Sequence, residues 1–441
     1  MAAMGLGDVD GSGRVPRAGK PLGGDRMRRA AVVLGALLLL LGLPRCSSGP
    51  APIRIGAVYP MTGPQGAGGL DEYRGVRLAV DLVDQDGGVN GRKVVLQPLD
   101  VTGPDGGPSA IDQLAARGVK IVFGTYGSTI SATAAGEVAR RDMLLWETGA
   151  VGGMTGPGPG RSFFRVAPSG AGLGRSAVDF VTRELAPLLR VRTADLRFAV
   201  TNVDDTYGQE VARGALQAIR AGGLTLTGTF SYDPRRLDAP AIARAVERSG
   251  ANVVFASAYV EDAVAIRKEM VRQGLRLITG IGTSSSYCMP EFGAALGREA
   301  VGLFASDKPD GWALDRDGLL PAARALLDRA QEAYEARYHA YMSAPALAGF
   351  SGAWALLHDV LPRAGSITAP AVASAALAAR IPEGGLPNGS GLRFGEPGTP
   401  EAGENLLAAS VIWEWVAPGH RVVVWPPRFA TQAIEPIRPM P

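Results

Sequence analysis

Short runs of β-branched and other apolar residues recur along the chain, separated by longer stretches with apolar residues at every third or fourth position. The runs predict strands over Ile53 to Tyr59, Lys93 to Asp100, Lys120 to Phe123 and Met143 to Trp146, then over Arg197 to Asn202, Thr225 to Tyr232, Asn252 to Ala256, Leu277 to Ile281 and Gly302 to Ala305. Two more close the chain, Val411 to Val416 and Arg421 to Trp425. Several are apolar at every position, the signature of strands buried on both faces of a parallel sheet. Between them, sets such as Tyr73, Val76, Val80 and Val83, or Val211, Leu216 and Ile219, mark amphipathic helices that stop at Gly-Gly or Arg-Gly. Strand alternating with helix implies a doubly wound α/β fold. Eleven strands exceed the usual content of one such sheet, so two lobes are expected. The longest helical region, Leu319 to Ala379, follows both strand sets, which suggests that the chain returns to the first lobe before its last strands.

Composition narrows the class. The chain has 441 residues, 46% of them hydrophobic, enough for two ordinary domains with real cores. Seven Lys/Arg against three Asp in residues 1–50 give that segment +4, so the rest carries −1 of the chain's net +3. A near-neutral body without long basic runs gives no footprint for nucleic acid. The apolar run Ala30 to Leu43 follows Arg28 and Arg29 and has the length of a signal-peptide core, so residues 1–52 are read as an export signal and flexible tether, with Met1 or Met27 as the start. The expected location is the periplasm or the outer face of the cytoplasmic membrane. Cys46, in GLPRCSSGPAP, resembles a bacterial lipoprotein site with Arg45 where a small residue is usual, which leaves lipid anchoring and simple cleavage both open. Cys288 is the only other cysteine, so no disulfide framework supports the fold.

The candidate chemistry starts at VFGTYGSTISA, from Val122 to Ala132, between a strand and a helix. A phosphate loop needs a lysine after its second glycine, and none follows Gly124. A nucleophile elbow needs Gly-x-Ser-x-Gly and a histidine base; Ser128 lacks the second glycine, and His339, His358 and His420 all lie late in the chain. No His/Cys pair has metal-ligand spacing, so neither metal nor cofactor is expected. A helix starting near Ser128 needs less: free first-turn amides and the hydroxyls of Ser128 and Thr129 make a cradle for a carboxylate or similar group. Other strand ends carry similar chemistry at Glu147 and Thr148, at Asp204, Asp205 and Tyr207, and at Ser257 and Tyr259. In open α/β sheets such ends line the ligand crevice.

These segments, in this order, resemble the type I periplasmic solute-binding proteins of the leucine/isoleucine/valine kind, receptors of ABC importers. The match runs from IRIGAVYPMTGPQGAGGLDEYRGVRLAVDLVDQDGGVNGRKVVL through GTYGSTISA, FFRVAPSG and VDDTYGQEVARG to NVVFASAYVEDAVAIRKEM. The resemblance implies two Rossmann-like lobes joined by a three-stranded hinge, residues 53–168 plus 307–407 and residues 169–306 plus 408–441, which clamp a ligand between them. It places Ser128 and Thr129 on the ligand carboxylate, with backbone at Gly149 and Ala150, and Tyr207, Tyr259 and Ser257 on the second lobe. It further implies a monomer that serves an ABC permease, an amino acid or related small polar ligand, and no catalysis. The pattern departs where relatives carry an acid for the ligand ammonium: this loop reads Thr283-Ser-Ser-Ser286, which leaves Glu147, Asp205 or Asp262 to supply the charge. Where relatives have an aromatic wall, this chain has Gly66 to Gly69. An amide or urea receptor and a sensor subunit are the alternatives, with a small-molecule hydrolase behind them.

Overall fold

A computed structural model describes residues 50–153 and 158–436. The expected export signal and Cys46 lie outside the described residues. Twelve strands form two sheets. The first is entirely parallel and contains β1 (Ile53–Tyr59), β2 (Val94–Asp100), β3 (Ile121–Gly124), β4 (Leu144–Glu147) and β5 (Phe163–Arg165), in the order β2-β1-β3-β4-β5. The second contains β6 (Arg197–Val203), β7 (Thr225–Tyr232), β8 (Val253–Ser257), β9 (Thr279–Thr283), β10 (Phe304–Asp307), β11 (Val411–Ala417) and β12 (His420–Trp425), in the order β12-β11-β10-β9-β8-β6-β7. Only β11 runs against the others there, antiparallel to its neighbours β10 and β12. The eleven expected strands are all present, with ends shifted by two residues or fewer; β5 is the addition.

Each sheet reverses its winding direction once, between β1 and β3 in the first and between β6 and β8 in the second. Carboxyl ends of strands diverge at such a switch, which opens a crevice there. Two covered faces are found as expected: β3, β4, β8 and β9 are buried at every position.

Helices α1 (Gly66–Gln85), α2 (Gly106–Ala116) and α3 (Ser128–Arg140) follow the first three strands. The chain leaves the first sheet after β5, and α4 (Gly170–Phe180) packs on α5 (Thr206–Ala221) of the second. After β10 it comes back: the helix Ala344–Trp354 lies along α1, so close that a Cβ on Gly75 would fall 1.9 Å from the Ala346 carbonyl oxygen. Trp146 on β4 donates its indole N–H to the Gly352 carbonyl on that helix and packs edge-on against Phe394. A bridge between Arg165 and Glu404 then leads the chain to β11 in the second sheet. Three crossings therefore join the sheets, after β5, after β10 and before β11, which gives two lobes and a three-stranded hinge.

Candidate functional site

The loops at the switch points of both sheets enclose one cavity of about 30 Å³ inside a cleft with about 450 Å³ of empty space. From the first sheet come Gln65 after β1, Tyr126 to Ser128 after β3, and Gly149 and Val151 after β4. The second sheet contributes Tyr207 after β6, Tyr259 after β8, Ser284, Ser285 and Met289 after β9, and Asp307 at the end of β10, with Lys308 next to it.

Of the residues expected from sequence, Ser128, Gly149, Tyr207 and Tyr259 line this cavity. Ser128 opens α3 after Gly127, a cap with no side chain, so nothing on the cap occupies the first-turn amides. Its Oγ accepts from the Gly152 N–H at 2.9 Å and keeps its own proton to donate. Thr129 is half-buried beside it and outside the cavity lining. Tyr207 and Tyr259 stand with ring centroids 5.6 Å apart. The Tyr259 hydroxyl donates to Asp205 Oδ2 at 2.7 Å, while Tyr207 Oη shares a hydrogen bond with Thr283 Oγ1 at 3.0 Å and donates to the Ser284 carbonyl. Thr283 thus acts one bond behind the cavity. Ser257 lies deeper still and donates to the Gly208 carbonyl at 3.0 Å.

Several of the expected groups already have partners within the chain. Glu147 is fully buried and collects five donors: Thr125 N at 2.6 Å, Thr125 Oγ1 at 3.0 Å, Ser131 Oγ at 2.6 Å, Gly149 N at 3.0 Å and Ala150 N at 2.8 Å. A buried carboxylate satisfied in this way knits two loops together and has no lone pair to spare for a ligand ammonium. The same bonds take up the Gly149 and Ala150 amides. Asp205 is likewise committed, as the cap of α5 that accepts from Gly208 N at 2.9 Å and from Tyr259. Asp262 sits against Tyr232 and does not reach the cavity.

Two features escaped the sequence reading. Tyr126 adopts φ +65°, a backbone region that residues with a Cβ avoid, and its ring turns into the space over α1. A Cβ on Gly68 would come within 2.2 Å of its hydroxyl, which also reaches the Ser285 side chain on the second lobe. The Gly66 to Gly69 run is therefore the seat of an aromatic wall supplied by the next loop. A string-level signal existed, tyrosine between two glycines, but nothing in the string said where the ring would point.

The second is a group of buried charges at the hinge. Asp307 is 3% exposed and its Oδ2 accepts the Cys288 S–H at 2.8 Å. Burial first, then the Asp307 charge, pushes the Cys288 thiol up, which keeps the proton on sulfur. Lys308 donates to the Gly149 carbonyl at 3.1 Å and lies 4.0 Å from Asp307 Oδ1. Behind it, Glu72 accepts from Thr148 Oγ1 at 2.6 Å and is pushed up to about 8, by burial foremost and then by Glu147, against the pull of Lys308. Among the described residues no group of three or more His, Cys, Asp or Glu could hold a metal ion, and no helix is long and apolar enough to cross a membrane.

The family model described as periplasmic binding protein matches residues 52–402. A Leu/Ile/Val-binding protein homolog 8 of Brucella suis biovar 1 is 29% identical over 408 residues, covering 91% of this chain and 97% of that protein. Among solved structures, the leucine binding protein LivK of Thermotoga maritima superposes with TM-score 0.68 at 18% identity, covering 84% of this chain and 97% of its own. A solute binding protein of R. palustris in complex with benzoate gives TM-score 0.66 at 16% identity, covering 88% of this chain and 99% of its own. The family match runs from β1 through β10 and takes in every loop that lines the cavity, and this chain belongs to the periplasmic binding proteins.

Proposed function

We propose that the protein is an extracytoplasmic receptor of an ABC importer that holds an amino acid or related small polar ligand between its lobes and delivers it to a membrane permease. One observation carries the reading: a single polar cavity is walled by strand-end loops of both sheets, with the uncapped start of α3 on one side and Tyr207 and Tyr259 on the other. A helix N-terminus of this kind stabilises an anionic end of a ligand. The lobes are taken as residues 53–168 plus 307–407 and residues 169–306 plus 408–441. Only a ligand that contacts both would favour closure, and closure would present both lobes to a permease in one fixed arrangement. The named relatives bind leucine-type ligands in one case and benzoate in another, so the fold leaves the ligand open. The hydroxyl-rich Thr283 to Ser286 loop supports the second reading, a receptor for an amide or urea. Neither reading includes turnover.

The test is a thermal-shift screen over amino acids, amides, urea and short carboxylates, followed by calorimetry on the best binder. Ser128→Ala and Tyr259→Ala should each weaken it by about 3- to 10-fold, the worth of one hydrogen bond. Unchanged affinity in both variants would place the ligand elsewhere, and recovery of chemically altered ligand would make the protein an enzyme.

A further inference from the structure

A zwitterion held in a buried cleft needs a carboxylate for its ammonium, because an ammonium stripped of water and left unpaired is strongly disfavoured. The acids around the cleft can be sorted by what already occupies them. Glu147 is saturated by five donors, Asp205 serves as a helix cap and Tyr259 acceptor, and Asp262 lies off the cavity. Glu72 is buried behind the wall and contributes nothing to the lining.

Asp307 is different. It lines the cavity, it is 3% exposed, and its Oδ1 receives no hydrogen bond. The nearest cation, Lys308 Nζ, is 4.0 Å away and directs one of its three N–H groups to the Gly149 carbonyl. A charge-assisted hydrogen bond is about 2.7–2.9 Å long, so this separation is not one. The other oxygen has only the weak S–H donor of Cys288. A buried carboxylate oxygen without a donor is a standing deficit that a ligand N–H can remove.

Its place in the sheet explains why the loop after β9 can lack an acid. Strands β9 and β10 are parallel neighbours, with Thr283 paired to Ser306. Asp307 is the next residue along β10, so a carboxylate there serves the same corner of the cleft from one strand further over. Building on the receptor reading above, we infer that Asp307 is the cation-receiving residue of the cleft: its Oδ1 accepts the ammonium of a small zwitterion whose carboxylate faces Ser128 and the start of α3.

The inference is tested by calorimetry on the purified protein and Asp307→Asn, with L-leucine, L-alanine and L-glutamine as zwitterions. The probes without an ammonium are 4-methylpentanoate, propanoate, acetamide and urea. The expected result is that at least one amino acid binds and that the Asn variant, with an unchanged melting temperature, loses roughly 30-fold or more in affinity for it. Affinity for the matching ammonium-free carboxylate should stay within about 2-fold, a pattern that a merely structural role would not give. Equal amino-acid binding by both proteins overturns the role of Asp307 and leaves the receptor reading standing. Binding of acetamide, urea or carboxylates alone does the same, whereas binding of none of the probes overturns both. If the Asn variant does not fold, a crystal structure of the unaltered protein with the bound amino acid decides. Ligand nitrogen within about 3.2 Å of Asp307 Oδ1 supports the inference, and nitrogen seated on Thr283 or Glu147 overturns it.

Discussion

At the scale of single residues, the cleft is built on carboxylates that differ in what the fold has given them. Glu147 is tied down by backbone and hydroxyl donors, whereas Glu72 has one donor at Oε1 and none at Oε2. That difference has a consequence for stability. Glu72 moves from an ordinary 4.5 to about 8 on folding, so the folded chain binds its proton more tightly than the unfolded chain does. Stability from this group is therefore full below pH 4.5 and is lost as pH rises toward about 8, by at most about 1.4 kcal/mol per pH unit for one proton. Glu414, pushed up to about 7 chiefly by burial, slopes the same way over a narrower range. Denaturant unfolding at pH 5, 6, 7 and 8 should show falling stability, and Glu72→Gln should flatten the decline, leaving the part that Glu414, Glu404 and Asp262, all raised chiefly by burial, account for. A Gln variant with the slope of the unaltered protein would mean that Glu72 keeps its proton no better folded than unfolded.

At the scale of elements, the cleft depends on how α1 and the loop between β3 and α3 share one volume. The Gly68 position and the Tyr126 hydroxyl exclude each other, since a Cβ there would sit 2.2 Å away. Gly68→Ala should push the ring off Ser285 and weaken ligand binding by about 3- to 10-fold, while in a Tyr126→Ala background the same change should do nothing further. Additive losses in the double-mutant cycle would show that the two elements act separately. The strands themselves were legible because full burial on both faces leaves a mark, continuous apolar sequence, that no other local structure of that length explains as well. Strand β5 was not, since FFR is too short to show a period and is held by Trp146 and Phe394 from distant segments. The site was legible only in part for the same reason. Ser128, Tyr207 and Tyr259 stand at strand ends within motifs, but the role of Asp307 depends on β10 lying beside β9, a pairing the local string does not contain.

At the scale of the whole molecule, the described arrangement is one in which the lobes already meet. Tyr126 of the first lobe reaches Ser285 of the second, and Lys308 at a crossing reaches back to Gly149. The cavity between them, about 30 Å³, has room for roughly two or three water molecules and not for an amino acid. Entry of a ligand therefore requires the lobes to part, and the parting must occur at the three crossings, because the cores of both sheets are close-packed and cannot yield by the width of a ligand. Arg165, buried, pairs with Glu404 at 2.7 Å and so ties the crossing after β5 to the one before β11. Small-angle scattering should accordingly give a larger radius of gyration without ligand than with it. Hydrogen exchange should slow on binding in residues 124–129 and 283–289, where the loops face each other across the cleft. Both effects should be weaker in Tyr126→Ala, which removes a contact available only when the lobes are close. Identical scattering and exchange at saturating ligand would describe a rigid cleft, and the ligand would then have to be bound outside the space that Ser128, Tyr207 and Asp307 enclose.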